Sequence, residues 1–238
     1  MFAEDPHRAA VAARRERDRG ARRQAILDAA RAAVSEGGLK ALSIRSIGRK
    51  AGVSIGGVYV YFRSIDELQA GLVADGHRSA LAVIRRREKR ALAPAERLRA
   101  NARIYVEVIL DRFHLFEQTT RLKFALDEEL ISAEAAEELR ASVREAISPF
   151  EEPILEGQRL GLFRTDRQAR RVAAQLWGSL NGILLVFRRD ARRTPREARR
   201  FVLEYAADVT EIFLEALTAP PERGARKSST SHRKRGHR

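Results

Sequence analysis

Between residues 37 and 67 glycine and serine interrupt the chain so often that only very short helices fit. Gly37-Gly38 ends one helical stretch, because glycine readily enters the left-handed conformation that closes helices. Ser43 stands before Ile44, Ile47 and Ala51, where a serine hydroxyl caps the first free N–H groups of a helix. Gly52-Val53-Ser54 closes that helix and opens another within three residues. Upstream of the glycines, Ile26, Ala29, Ala30, Ala33 and Val34 share one helical face from Arg23 onward. The spacing therefore predicts three helices in residues 23–62, the last running from Ser54 to about Phe62. Ser64 and Glu67 then have capping-box spacing for a fourth helix, and Asp66 and Glu67 suit the positive end of its dipole.

Two short helices joined by Gly52-Val53-Ser54 form a helix-turn-helix pattern. Gly52 supplies the positive φ of the reversal, Val53 plugs the core and Ser54 caps the second helix. Gly56 and Gly57 present almost no side chain, so the backbone there can approach a nucleic acid closely. Tyr59, Tyr61 and Arg63 add donors around them. Charge points the same way. Of the net +14, residues 1–23 hold 7 basic against 4 acidic side chains, and residues 24–65 hold 6 against 2. Residues 66–219 are almost neutral, and residues 220–238 hold 7 basic against 1 acidic. Such basic ends attract polyanions.

The pattern predicts an all-α chain. After Ser64 only helices are expected, with breaks near Ala93-Pro94, His114, Ile131-Ser132, Gly161 to Asp166 and Asp190 to Pro195. Pro149 and Pro153 should kink or break the helix between Ser132 and Gly161. Four parts follow: a basic arm over 1–22, the helix-turn-helix domain over 23–68, a larger helical ligand-binding and dimerisation domain over 69–218, and a disordered basic tail over 219–238. The tail carries Pro-Pro and a serine-rich run without apolar residues. No apolar run approaches the roughly 20 residues of a membrane span, and no apolar stretch follows the first arginines, so neither membrane insertion nor a signal peptide is expected. The chain has no cysteine, which suits a reducing cytoplasm.

Residues 23–68 resemble the DNA-binding domain of the TetR family of bacterial transcriptional regulators. Arg23, Ile26 to Ala30, Gly37-Gly38, Leu42-Ser43 and Ile47 carry the likeness, with Ala51-Gly52-Val53-Ser54, Gly56, Tyr59, Tyr61-Phe62 and Ser64 to Leu68. The resemblance implies a homodimer that binds a palindromic operator in double-stranded DNA. It implies DNA contacts from Arg22, Arg23, Ser43, Arg45, Ser54, Ile55, Gly56, Gly57, Tyr59, Val60, Tyr61 and Arg63, with Arg45 reaching a base edge. Two positions depart from the family. Ile65 stands where a phosphate-binding lysine is frequent, and Gly57 where Thr, Ser or Ala is usual. Phosphate binding should then lean on Arg22, Arg23, Tyr61 and Arg63.

For the remainder, catalysis and binding are the alternatives. There is no nucleophile elbow, phosphate-cradling glycine loop or zincin motif. Asp111 and His114 stand three apart, but a di-iron bundle needs a second pair and further carboxylates, so no metal, cofactor or catalytic residue is expected. An apolar pocket is the better reading, walled by Phe113, Leu115, Phe116, Leu122, Phe124, Leu126, Trp177, Leu180, Leu184 and Phe187. His114, Gln118, Arg121, Gln175, Trp177 and Asn181 would orient an unidentified small-molecule effector. Asn181 sits mid-helix among apolar neighbours and needs a partner if buried. Ala174, Gly178, Gly182 and Val186 recur every fourth residue, a stripe on which a second helix can lie closely. With Phe201, Tyr205 and Val209 from the last helix they form the expected dimer interface. The expected function is a repressor released from its operator by a hydrophobic ligand. Activation remains open, and a non-specific nucleic-acid or nucleoid-type binder is the alternative.

Overall fold

The computed structural model describes residues 6–187 and 194–218. The described residues form nine α-helices and no strand. They are α1 (Pro6–Gly37), α2 (Ile44–Ala51), α3 (Ile55–Tyr59), α4 (Ile65–Arg87), α5 (Pro94–Asp111), α6 (Phe113–Ala125), α7 (Ala133–Arg159), α8 (Ala169–Phe187) and α9 (Pro195–Thr218). The basic tail expected over 219–238 lies outside the described residues, as do the side chains of His114 and Phe187.

The arm expected over 1–22 is not separate where it is described. α1 begins at Pro6 and runs unbroken into the helix expected from Arg23. Its alanines and arginines are good helix formers, and proline is tolerated in a first turn.

Two apolar clusters organise the chain. The first joins Ile26, Leu27, Ala30, Ile47, Val58, Phe62 and Leu68, and recruits Leu122 from α6 and Leu139 from α7. The second is the interior of the helical bundle, with Leu98, Val106, Phe150, Ile154, Leu176, Leu180 and Val202. α4 belongs to both: Leu68, Leu72 and Val73 lie in the first cluster and Ile84 in the second. Movement of α4 is therefore felt on both sides of the boundary expected at residue 68.

The break expected at Pro149 and Pro153 does not occur, because α7 is continuous across both. Each proline lacks the N–H that would bond the carbonyl four residues earlier. Side-chain donors, one within α7 and one from α5, replace both bonds. Ser148 Oγ donates to the Glu145 carbonyl at 2.7 Å. Asn101 Nδ2, on α5, donates to the Pro149 carbonyl at 2.7 Å. Asn101 is fully buried, and its amide also donates to Glu88 Oε1 at 3.1 Å. Both neighbours are acceptors, which fixes the orientation of the amide.

Candidate nucleic-acid interface and cavity

Three serine caps space α2, α3 and α4. Ser43 Oγ accepts from Ser46 N at 3.3 Å, Ser54 Oγ from Gly57 N at 3.0 Å and Ser64 Oγ from Glu67 N at 3.1 Å. Gly52 reverses the chain at φ 68°. Gly48 is a second requirement that the sequence reading passed over: a Cβ there would lie 2.9 Å from the Val53 carbonyl oxygen. α3 ends at Tyr59, three residues short of the expected Phe62, and the Val58 carbonyl accepts from both Tyr61 N and Phe62 N at 3.0 Å. A helix of five residues with two glycines lacks the propensity to continue, and burial of Val58 and Phe62 holds it in place.

The outer side of α3 is apolar and uncovered. Ile55, Tyr59 and Val60 are exposed, Val60 to 68%. Gly56 and Gly57 share the helix, Arg45 projects from an exposed position on α2, and Arg22 is exposed on α1. Tyr61 is half-buried against the first cluster. Arg63 is exposed and meets Glu134 at 3.1 Å. Arg23 is less available: its guanidinium meets Glu138 of α7 at 3.0 and 2.7 Å and lies over the Phe62 ring. Sequence spacing offered no sign of that partner, 115 residues away.

Glu67 also has a different role from the capping box expected of it. Its carboxylate is buried and accepts from Arg63 N at 2.8 Å and from Ser132 N, before α7, at 3.2 Å. Burial works against its charge, but the bonds from Ser132 and Arg63 prevail and hold the carboxyl below its ordinary range. A group depressed in this way stabilises the fold above its unfolded pKa and loses that contribution as pH falls through the folded value. Glu67→Gln keeps one acceptor and turns an amide N–H₂ toward the other backbone donor. The expected loss is about 1–3 kcal/mol at pH 7, shrinking as pH falls through the folded pKa. Thermal melts at pH 7 and over a descending acid series check this; a gap that does not narrow would show that the charge is irrelevant.

A cavity of about 280 Å³ lies among α4, α5, α6 and α8, with Arg31 and Val34 of α1 at one side. Of the expected apolar wall, Leu115, Phe116, Leu122, Phe124 and Trp177 line it. Leu180 and Leu184 are wholly buried in the bundle interior, and Phe113 and Leu126 pack against the clusters. Of the expected polar residues, Gln118, Trp177 and Asn181 line the cavity. Arg121 and Gln175 are exposed and outside the lining, and Arg121 meets Glu117 at 3.0 Å. Asn181 finds its partners inside the fold: its Oδ1 accepts from Tyr105 OH, and its Nδ2 donates to the Trp177 carbonyl, each at 2.7 Å.

His77 lines the cavity and was not singled out from the sequence. Its ring packs edge-on against Trp177. Ser142 Oγ donates its proton to the Leu139 carbonyl at 2.7 Å, so it accepts from His77 Nδ1 at 3.0 Å. That leaves the lone pair on Nε2. Burial, then the charges of Lys123 and Arg78, push the imidazole down to about 4, so it is neutral at pH 7. Among the described residues no group of three or more His, Asp or Glu is gathered as for a metal ion, and no helix is long and apolar enough to cross a membrane.

Along α8, Gly178, at the rim of the cavity, and Gly182 are exposed, and a Cβ on either would meet nothing within 4 Å. Val186 beside them is 66% exposed. From α9, Tyr205 and Ile212 are exposed, while Phe201 and Val209 are half-buried, as is Ala174 of α8.

Residues 26–71 match the family described as bacterial regulatory proteins, tetR family. No curated protein matches the sequence. Among solved structures, the chain is similar to a putative TetR-family transcriptional regulator from Mesorhizobium loti, with 21% identity and a TM-score of 0.62, over 84% of this chain and 98% of that one. It is similar to FadR from Bacillus subtilis, solved in complex with stearoyl-CoA, at 14% identity and a TM-score of 0.59, over 82% and 98%. It is also similar to the fatty acid degradation regulator FadR from Bacillus halodurans, at 19% identity and 0.57, over 81% and 94%. These identities speak to a shared fold.

Proposed function

We propose that this chain, which belongs to the tetR family of bacterial regulatory proteins, is a dimeric repressor released from its operator by a small apolar ligand. The observation that carries the reading is the pairing of an uncovered α3 with a cavity beside the helix that supports it. Ile55, Tyr59 and Val60 are left exposed on a capped recognition helix, where apolar side chains meet thymine methyls and serine, tyrosine and arginine meet phosphates. The cavity touches Gly76, His77, Ala80 and Ile84 of α4, the helix whose first turns pack under α3 through Leu68 and Phe62. A ligand that prefers one position of α4 biases the separation of the two recognition helices in a dimer, and so the fit to successive major grooves. The bound stearoyl-CoA of the Bacillus subtilis protein belongs to that protein, and supports an effector in this fold.

Selection of bound DNA from a random pool tests the class. A palindromic site with half-sites about 34–36 Å apart, or a multiple of that, is expected. Binding that is steeply salt-dependent and indifferent to sequence would favour the alternative of a nucleoid-type binder, which the basic charge of residues 1–23 and 220–238 permits.

Base reading falls to Arg45. The α3 residues offered to the groove hold no bidentate donor, whereas arginine pairs with guanine O6 and N7 for about 1–3 kcal/mol of discrimination. Arg45→Ala is therefore expected to flatten preference at one position in each half-site. Tyr61→Phe is expected to weaken every site alike, as loss of a phosphate ligand does. A library of single-base operator variants separates the two. A uniform loss across the library for Arg45→Ala would make Arg45 a phosphate ligand.

A further inference from the structure

The charged residues that line the cavity have one sign. Arg31, Arg112 and Lys123 are among them, and no aspartate or glutamate is. Arg31 is already paired with Asp28 and Asp75, and Arg112 donates to Ser79 Oγ at 3.1 Å. Among the described residues neither Arg112 nor Lys123 meets a carboxylate, and Lys123 has no hydrogen-bond acceptor either; its ammonium sits 5.7 Å from the centroid of the Trp177 ring. The remaining polar lining cannot balance it: His77 is held neutral with its Nδ1 proton on Ser142, and the Asn181 and Tyr105 groups satisfy one another. The rest of the wall is apolar, from Leu72, Ile84, Val108, Ile109, Leu115 and Phe116.

From this placement we infer that the cavity takes a compact amphiphilic monoanion, a hydrocarbon body bearing one carboxylate, with the carboxylate on Lys123. The inference rests on the reading of the cavity as the effector site and adds the chemistry of the effector. An alkylammonium ligand would meet like charges with no carboxylate to receive it. A neutral ligand of the same length would gain the apolar wall but leave Lys123, an exposed residue at the edge of the cavity, without a counter-charge; a charge-assisted bond is about twice as strong as a neutral one. The volume of about 280 Å³ lies at the small end of ligand pockets, so a short chain fits the space better than a long one.

Octanoate, 1-octanol and octylamine share one tail and differ in the head, so they separate these cases. Trp177 is the sole tryptophan and reports binding by fluorescence, with calorimetry as a second readout that does not depend on the ring. Octanoate is expected to bind at least tenfold tighter than 1-octanol, with octylamine weakest. Lys123→Met should bring octanoate to the level of the alcohol while leaving the alcohol unchanged, and Arg121→Met, outside the cavity, should leave all three unchanged. The inference is overturned by equal binding of the alcohol, by tighter binding of the amine, by binding of none of the three, or by full octanoate affinity in Lys123→Met. Release of a selected operator is scored separately. Octanoate that binds as expected without releasing DNA upholds the ligand class and removes the effector reading.

Discussion

Asn101→Leu is expected to destabilise the protein by about 3–5 kcal/mol, a large part of the roughly 5–15 kcal/mol available to a folded domain. The substitution is close in size and apolar, so little of the loss comes from packing. Two hydrogen bonds disappear together. The Pro149 carbonyl loses its donor in a buried place, which costs about 1–3 kcal/mol. The Glu88 carboxylate, whose side chain is 1% exposed, loses one of the groups that hold it ionised. Burial opposes its charge, and Arg85, Asn101 and Arg90 overcome that opposition; a bond to a charged group is worth about 1.5–3 kcal/mol. The proline supplies an internal control. Pro153→Ala restores the N–H that bonds the Pro149 carbonyl along the helix, so it should recover about 1–3 kcal/mol in the Asn101→Leu background and change the native background far less. Urea unfolding of the four proteins forms a double-mutant cycle. Equal effects of Pro153→Ala in the two backgrounds would show that the carbonyl is not what Asn101 serves.

The same residues mark how far the sequence could be read. Ser43, Ser54, Ser64 and Gly52 act on backbone groups two or three positions away, so their roles are visible in the local spacing. Glu67 shows the limit. Its position suggests a local capping box, yet its second partner is the Ser132 N–H at the head of α7. Arg23 and Asn101 fail to announce themselves for the same reason, since Glu138 and the Pro149 carbonyl are distant in sequence. Pro149 and Pro153 misled in the opposite direction: the local rule against proline is sound, and it was overridden by side-chain donors, Ser148 within the helix and Asn101 from α5. The role of His77 depends on Ser142, 65 residues later, so its neutrality could not be read from its neighbours in the chain.

Gly182→Leu is expected to give a well-folded monomer whose operator affinity falls by about 10²–10⁴-fold, the gain that linking two binding modules provides. Helix α8 bears a cost that nothing within the protomer explains. Glycine inside a helix is about 1 kcal/mol worse than alanine, yet α8 carries Gly178 and Gly182 at exposed positions where an added Cβ meets nothing within 4 Å. Val186 one turn beyond Gly182, and Tyr205 and Ile212 on α9, leave further apolar surface exposed on these two helices. A helix of a second copy laid on this face would account for both features, since small residues let backbones approach and the flanking apolar groups gain burial. Leucine at 182 should raise the helix propensity of α8 and leave the interior of the protomer untouched, so a loss of dimer would not be a loss of folding. Gly182 is the better probe of the two glycines because Gly178 also lines the cavity. Light scattering and melting of the variant, read with operator titration, decide the matter. A dimer of native affinity in Gly182→Leu would place the twofold axis elsewhere; a monomer with an unchanged or higher melting temperature and weak operator binding would place it on α8 and α9.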